Sequence, residues 1–292
     1  MAMNIEFSAL DGVTLKGQLI TAKHTKAVVI LNPGTATKTT FYLPFAEFLA
    51  KHGYSVLLWN YRGFCESRTG SLKDSNIRFS DIGLYDIPAA ISKAQDLFPD
   101  LPIYCVGHSA GGQQLDFAHN CNALSGMVGI AVSTGYFHTM PLAYRLKAIF
   151  FFSVICPIST ALFGYVKAKL LNIMEDLPPK LAKEWGQWCS QKDFFFAPQF
   201  YQSRTASQQY QKLAFPIHIF TADDDEISTP ANTKALWSHI SSDIPPQFTW
   251  YQSAEMTNHK VGHFGYFRKE NRTIWQDILT ALDGFNSVSI SH

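Results

Sequence analysis

Apolar residues along the chain follow two alternating rhythms. Short unbroken apolar runs, such as Ala27 to Leu31 and Ser55 to Trp59, suit strands buried on both faces. Between them, apolar residues recur every three or four positions, as with Phe41, Phe45, Phe48 and Leu49 ahead of Gly53. Ile5 to Leu10 and Val13 to Ile20 flank Asp11-Gly12 and predict a hairpin. Further strands are expected at Ile103 to Val106, Gly126 to Val132, Pro216 to Phe220 and Gln247 to Tyr251. Helices are expected at Asp81 to Phe98, Gln113 to Asn120, Pro230 to Ile240 and Phe267 to Phe285. Pro88 either kinks the first of these or divides it. Strands separated by helices predict an α/β fold, a mostly parallel sheet with helices on both faces.

From Gly135 to about Tyr201 the alternation stops, and the chain is aromatic and mostly helical in pattern. The stretch separates the sixth and seventh strands, which predicts a helical lid over the sheet's carboxyl edge, where open α/β sheets bind ligands. The predicted organisation is core 1–134, lid 135–201, core 202–292. Ala148 to Val166 approaches the length of a membrane span. Pro157 and Gly164 interrupt it, however, and a single span there would put the halves of one sheet on opposite sides of a bilayer. Lid helices are therefore expected, with a lid whose apolar face touches a membrane surface as an intermediate case. Trp185, Trp188, Phe194, Phe195 and Phe196 could line an acyl pocket, though ordinary packing of lid on core is expected for most.

The strand ending at Val106 runs into Gly107-His108-Ser109-Ala110-Gly111, with a helical pattern behind it. A serine between strand and helix on so sharp a turn has a strained backbone and a protruding hydroxyl. Glycines two residues to either side allow strand and helix to pack closely. The Ala110 N–H, at the positive end of the helix, then suits a developing oxyanion. The plain alternative is a glycine-rich turn whose serine does nothing.

An acid and a histidine complete the set. The seventh strand leads into Asp223-Asp224-Asp225-Glu226, of which at least two must face solvent. Asp225 is the candidate acid, because Ile227 can anchor the loop while the carboxylate points inward, and Asp224 is the runner-up. After the last strand, His263 lies between Gly262 and Gly265, with His259 as competitor. His108, His138 and His218 are read as ordinary. The order Ser109, Asp225, His263 is that of serine hydrolases on this kind of sheet, with His263 as base and Asp225 orienting it.

Composition narrows the field. Nearly half of the 292 residues are apolar, and 24 Lys+Arg balance 23 Asp+Glu without a basic stripe, so nucleic acid is not an expected partner. Five cysteines (Cys65, Cys105, Cys121, Cys156, Cys189) lack metal or disulfide spacing and favour a reducing compartment. The start, Met-Ala-Met-Asn-Ile-Glu-Phe, has no signal-peptide pattern, so a cytoplasmic location is expected. No metal and no cofactor are expected.

With these motifs the chain resembles the α/β-hydrolase superfamily, near the bacterial lysophospholipase and monoglyceride-lipase branch. The resemblance rests on Asn32-Pro33-Gly34-Thr35, Tyr61-Arg62-Gly63 with Ser67, Gly107 to Gly111, Asp225 and Gly262-His263-Phe264-Gly265. It implies an α/β-hydrolase fold and an oxyanion hole made by Ala110 and the backbone N–H of Thr35. Many relatives carry His-Gly at the oxyanion loop, where this chain has Asn-Pro-Gly-Thr, and a second glycine at the position of Cys65. The expected activity is metal-independent hydrolysis of carboxylic esters with a lipophilic acyl group, through an acyl-enzyme on Ser109. The alternatives are an aminopeptidase-like amide hydrolase and a non-catalytic binding protein of this fold. The expected partner is a small-molecule ester, with peripheral membrane contact through the lid as an option. Oligomeric state is not legible.

Overall fold

A hairpin opens the fold. Strands β1 (Ala2–Ser8) and β2 (Thr14–Ile20) pair antiparallel around Asp11-Gly12. The computed structural model describes residues 2–288 except 172–173, 201–212, 241 and 257–258. β2 pairs antiparallel with β4 (Tyr54–Trp59), and from there the sheet is parallel. It continues through β3 (Ala27–Asn32), β5 (Ile103–His108), β6 (Gly126–Ile130), β7 (Ile217–Ala222) and β8 (Gln247–Tyr251). The order across the eight strands is β1-β2-β4-β3-β5-β6-β7-β8.

β3 to β6 are buried along their whole length, which explains their unbroken apolar runs. Alternate residues serve opposite faces. Val29, Leu31, Val56 and Leu58 pack with α1 (Leu43–Lys51) and α8 (Arg272–Val288). Val28, Ile30, Leu57 and Trp59 face the layer that includes α2 (Ile87–Leu97). Pro88 does not break the expected long helix. A π-helical turn, Ile82–Asp86, runs directly into α2 with helical φ and ψ at both Asp86 and Ile87, and Pro88 sits just after this widened turn.

The helix expected after Ser109 is shorter than its pattern suggests. α3 spans only Ala110–Gln113, followed by 3₁₀ turns at Leu115–Phe117 and Cys121–Ala123. Gln114 is fully buried, and its side-chain oxygen accepts the Gly83 N–H at 3.0 Å. This tertiary contact overrides the local helical preference.

Between β6 and β7 lie α4 (Leu142–Phe150), a π-helical turn (Phe151–Ile155), α5 (Cys156–Phe163) and α6 (Pro179–Cys189). The first three run as one helix over Leu142–Phe163. Residue 201, the expected end of this region, and residues 202–212 lie outside the described residues. α7 (Pro230–His239) joins β7 to β8.

Arg62 locks the hairpin to the body. Its guanidinium pairs with Asp86 and Asp11, both at 2.6 Å, and is itself almost completely buried. Burial drives the Asp86 carboxyl up, and the facing guanidinium opposes that rise. Arg62→Met, similar in length but uncharged, would leave Asp86 buried without its countercharge. We expect unfolding at pH 7 to cost about 3–5 kcal/mol less than in the wild type, read from urea melts. A variant with an unchanged midpoint would show that the pair contributes no net stability.

Candidate active site

Ser109 occupies the turn between β5 and α3 with φ 50° and ψ −119°, a left-handed region that a non-glycine residue enters at a cost of about 1–3 kcal/mol. Neighbouring strands enforce it. A Cβ on Gly111 would lie 2.4 Å from the Asn32 carbonyl oxygen, and one on Gly107 would lie 2.7 Å from Gly112 backbone. The Ser109 N–H donates to the Ile130 carbonyl at 2.9 Å, and its own carbonyl accepts from Gly112 and Gln113. The turn is thus fixed from β6 and from within α3.

Of the four clustered acids, Asp225 faces inward. Its carboxylate meets His263 Nδ1 at 2.9 Å and accepts the N–H groups of Ile227 and Ser228 at 2.9 and 2.8 Å. Burial would raise this carboxyl, but His263 and these donors outweigh it and hold it below the ordinary carboxylate value. Asp223 and Glu226 are exposed. Asp224 takes a different task. Its two oxygens accept the N–H groups of Val261 and Gly262 at 2.9 and 2.8 Å, so it tethers the segment that carries His263. His259 is exposed and its Nδ1 bonds the Ala254 carbonyl. His218 bonds Thr249.

His108, read from the sequence as ordinary, is a junction. Its Nε2 lies 2.9 Å from the His263 carbonyl oxygen, which can only accept, so Nε2 carries the proton. Nδ1 therefore accepts from the Tyr42 hydroxyl at 2.7 Å, and that hydroxyl oxygen accepts the Gly34 N–H at 2.8 Å. One line of hydrogen bonds thus joins the loop after β3, the end of β5 and the segment of His263. No sequence motif marks Tyr42, which reaches this line from the turn before α1.

The Tyr61-Arg62-Gly63 motif acts on the same loop. The Tyr61 hydroxyl donates to the Pro33 carbonyl at 2.8 Å, and Ser67 bonds the Asn60 carbonyl. Asn32 accepts from the Trp59 indole and donates to the Gly111 carbonyl, tying this loop to the serine turn. Cys65, where many relatives have glycine, adopts φ 44°, a conformation that suits glycine. Thr35 is buried, and among the described residues its hydroxyl has no hydrogen-bond partner. Ala110 begins α3, where the first N–H groups of a helix lack internal partners.

Thr35, Ser109 and His263 all line one cavity of about 930 Å³. Its apolar wall comes largely from the helical region between β6 and β7, through Phe137, Tyr144, Ala148, Phe151, Phe152 and Trp185. Trp188, Phe194 and Phe195 are buried instead in ring packing with one another and with Phe117. Lys38, Lys147, Lys169 and Arg268 also line the cavity, and Glu175, the only carboxylate among the described lining residues, is held by Lys38 and Lys169.

Burial, reinforced by the nearby His263, holds His108 down to about 3. The unfolded chain takes up a proton at this side chain near pH 6.5, and the folded chain refuses it. Stability contributed by neutral His108 is therefore present above about pH 6.5 and lost as pH falls toward 3. His218, half-buried and also lowered, adds in the same direction. Urea midpoints should decline from pH 6.5 to about 4, above the window of Asp225, and decline less steeply in His108→Gln. Equal slopes in the two proteins would contradict a buried neutral imidazole.

No curated protein sequence matches the chain. Solved structures do match in fold. A soluble variant of monoglyceride lipase from Saccharomyces cerevisiae aligns with a TM-score of 0.65 at 16% identity, over 96% of this chain and 94% of that one. An esterase from Pyrococcus furiosus aligns at 0.61 and 14% identity, over 98% and 90%. An esterase from Exiguobacterium antarcticum aligns at 0.60 and 12%, over 96% and 100%. At such identities these likenesses establish the fold, that of the α/β hydrolases. The sequence profile of the serine aminopeptidase S33 family matches residues 23–171, just over half of the chain, and the chain belongs to that family of hydrolases.

Proposed function

We propose that the protein is a metal-independent serine hydrolase that cleaves carboxylic esters with a lipophilic acyl group. One observation carries the reading. His263, paired with Asp225 at 2.9 Å, lines an apolar-walled cavity together with a serine held at positive φ. In the proposed reaction Ser109 Oγ attacks the ester carbonyl while His263 Nε2 accepts its proton. Asp225, bonded to Nδ1, fixes the tautomer and stabilises the imidazolium. The tetrahedral oxyanion forms against the N–H groups of Thr35 and Ala110. Collapse expels the alcohol, which takes the proton from His263 and leaves the acyl group on Ser109. Water then attacks the acyl-enzyme, giving its proton to His263, and the acid departs as Ser109 recovers its proton.

The family takes its name from aminopeptidases, so amide cleavage is the rival activity. A free α-amino group needs a carboxylate partner. Glu175 lines the cavity but is already engaged by Lys169 at 2.6 Å and Lys38 at 3.7 Å. Lys147 and Arg268 add further positive charge. This balance favours esters over aminopeptidase substrates. The region between β6 and β7 is read as a lid, since its residues wall the cavity.

A fluorophosphonate probe should label the wild type and leave Ser109→Ala unlabelled, and equal labelling would favour a non-catalytic protein. Asp225→Asn should lower kcat by about 10³–10⁴, as loss of the acid does in other triads. Asp224→Asn keeps one acceptor for the Val261–Gly262 turn and should lose less. The reverse ranking would transfer the orienting role to Asp224.

Acyl length tests the pocket. Each buried CH₂ contributes up to about 0.8 kcal/mol, so even half of that over two methylenes gives a several-fold gain. kcat/KM across p-nitrophenyl esters should climb from acetyl to medium chain, then level off or fall. A steady decline from acetyl onward would end the lipophilic reading and leave the triad assignment standing. Aminoacyl-naphthylamides, run in parallel, should be poor substrates.

A further inference from the structure

The helix over Leu142–Phe163 has two apolar faces. An 18-residue window within its 22 residues reaches a mean hydropathy of 1.9, yet only 11% of that window is buried. Tyr144, Ala148, Phe151 and Phe152 look inward onto the cavity. Leu142, Leu146, Phe150, Ile158 and Leu162 look outward and are 53–71% exposed. The four-residue steps before Phe150 and after Ile158 keep one stripe along the helix. The π-helical turn between them takes up the wider step without moving the stripe off that face. Just beyond, Leu170 is also exposed. At 1.5 Å per residue the stripe is roughly 30 Å long. A helix on the surface of a water-soluble domain carries polar residues outward, and apolar patches of this extent mark contact sites.

The charges around the stripe identify the partner. No Asp or Glu occurs from Phe117 to Met174. The cations of that stretch are Arg145 and Lys147 at one end of the helix, Lys167 and Lys169 beyond the other. The Lys167 ammonium lies over the Phe163 ring, 3.8 Å from its centroid. Protein–protein interface cores are depleted in lysine, whereas an apolar face flanked by Lys and Arg matches anionic headgroups above acyl chains. A transmembrane course is ruled out by the inward face, which walls the cavity, and by the two ends, which lead into adjacent strands of one sheet.

We infer that the outer face of the Leu142–Phe163 helix docks in the plane of an anionic lipid surface. Lys147 is exposed on this helix and also lines the cavity, so the cavity opens beside the docked face. Under the hydrolase reading above, a lipophilic ester would then pass from the lipid layer without crossing bulk water.

Vesicle flotation of the full chain tests this independently of catalysis. Binding to phosphatidylcholine vesicles containing phosphatidylglycerol should be at least about tenfold stronger than to phosphatidylcholine alone, and should weaken with salt. An alkaline wash should release the protein. Leu146→Glu, Phe150→Glu and Leu162→Glu, singly and combined, should lose binding yet keep wild-type melting and wild-type hydrolysis of a soluble short-chain ester. Arg145→Glu with Lys167→Glu should remove the preference for phosphatidylglycerol. Three results would overturn the inference: no binding to anionic vesicles, resistance to the alkaline wash, or a concentration-dependent dimer in the wild type that Phe150→Glu abolishes. If the soluble ester is not hydrolysed at all, the hydrolase reading fails, while the flotation result still decides the docking.

Discussion

Tyr42, His108 and the His263 carbonyl form a line of hydrogen bonds, 2.7 and 2.9 Å long, across the carboxyl edge of the sheet. It runs on to the Gly34 N–H. The loops it joins are far apart in the chain, and the Asn32 amide adds a second tie between the β3 loop and the serine turn. Every group on the line is uncharged, so burial exacts only the modest cost of satisfied polar groups. Protonation of His108 would turn both ring nitrogens into donors and set one against the Tyr42 hydroxyl, which already donates. The geometry at this edge therefore depends on an imidazole that stays neutral. Two histidines with ring centroids 5.1 Å apart hold opposite roles because one is sealed and the other sits beside Asp225.

The same division of labour separates the acids. Asp225 spends its carboxylate on an imidazole and two N–H groups, whereas Asp224 spends its own on two backbone N–H groups preceding His263. Neither could replace the other without moving the loop. Between them they fix both the ring and the backbone of the histidine.

Much of this was legible in the sequence, for specific reasons. All eight strands were, most of them because burial on one or both faces leaves an apolar signature that survives without structure. Asp225 was preferred over Asp224 through Ile227, which lines the cavity and whose N–H bonds the Asp225 carboxylate. The tethering role of Asp224 was not legible, since backbone acceptors have no sequence pattern. His108 and Tyr42 were missed because a partnership across 66 positions has no local trace. The short α3 was missed because a single buried contact, Gln114 to Gly83, outweighed local preference. The apolar character of Ala148 to Val166 is plain in the sequence, but the two apolar faces of the Leu142–Phe163 helix needed the packing, because its inward and outward residues interleave.

Backbone strain collects where the site is. Ala36 follows β3, Cys65 follows β4, Ser109 follows β5 and Ala131 follows β6, and all four are non-glycine residues at φ between 44° and 56°. Each such residue costs on the order of 1–3 kcal/mol and persists only where its surroundings overdetermine it. The surroundings do so here. Trp59 and Tyr61 brace the β3 loop, Ser67 closes the turn around Cys65, and Ser228 Oγ bonds the Ala131 carbonyl at 2.6 Å. Four adjacent parallel strands thus end in a row of strained turns, each held by side chains from the next segment. A continuous regular exit from any of these strands would carry the backbone away from the edge. The left-handed residues instead fold each loop back over it, so that Thr35 and Ser109 meet at one cavity, which His263 reaches from beyond β8. The unbroken, fully buried sheet beneath supplies the stability that lets its rim remain strained.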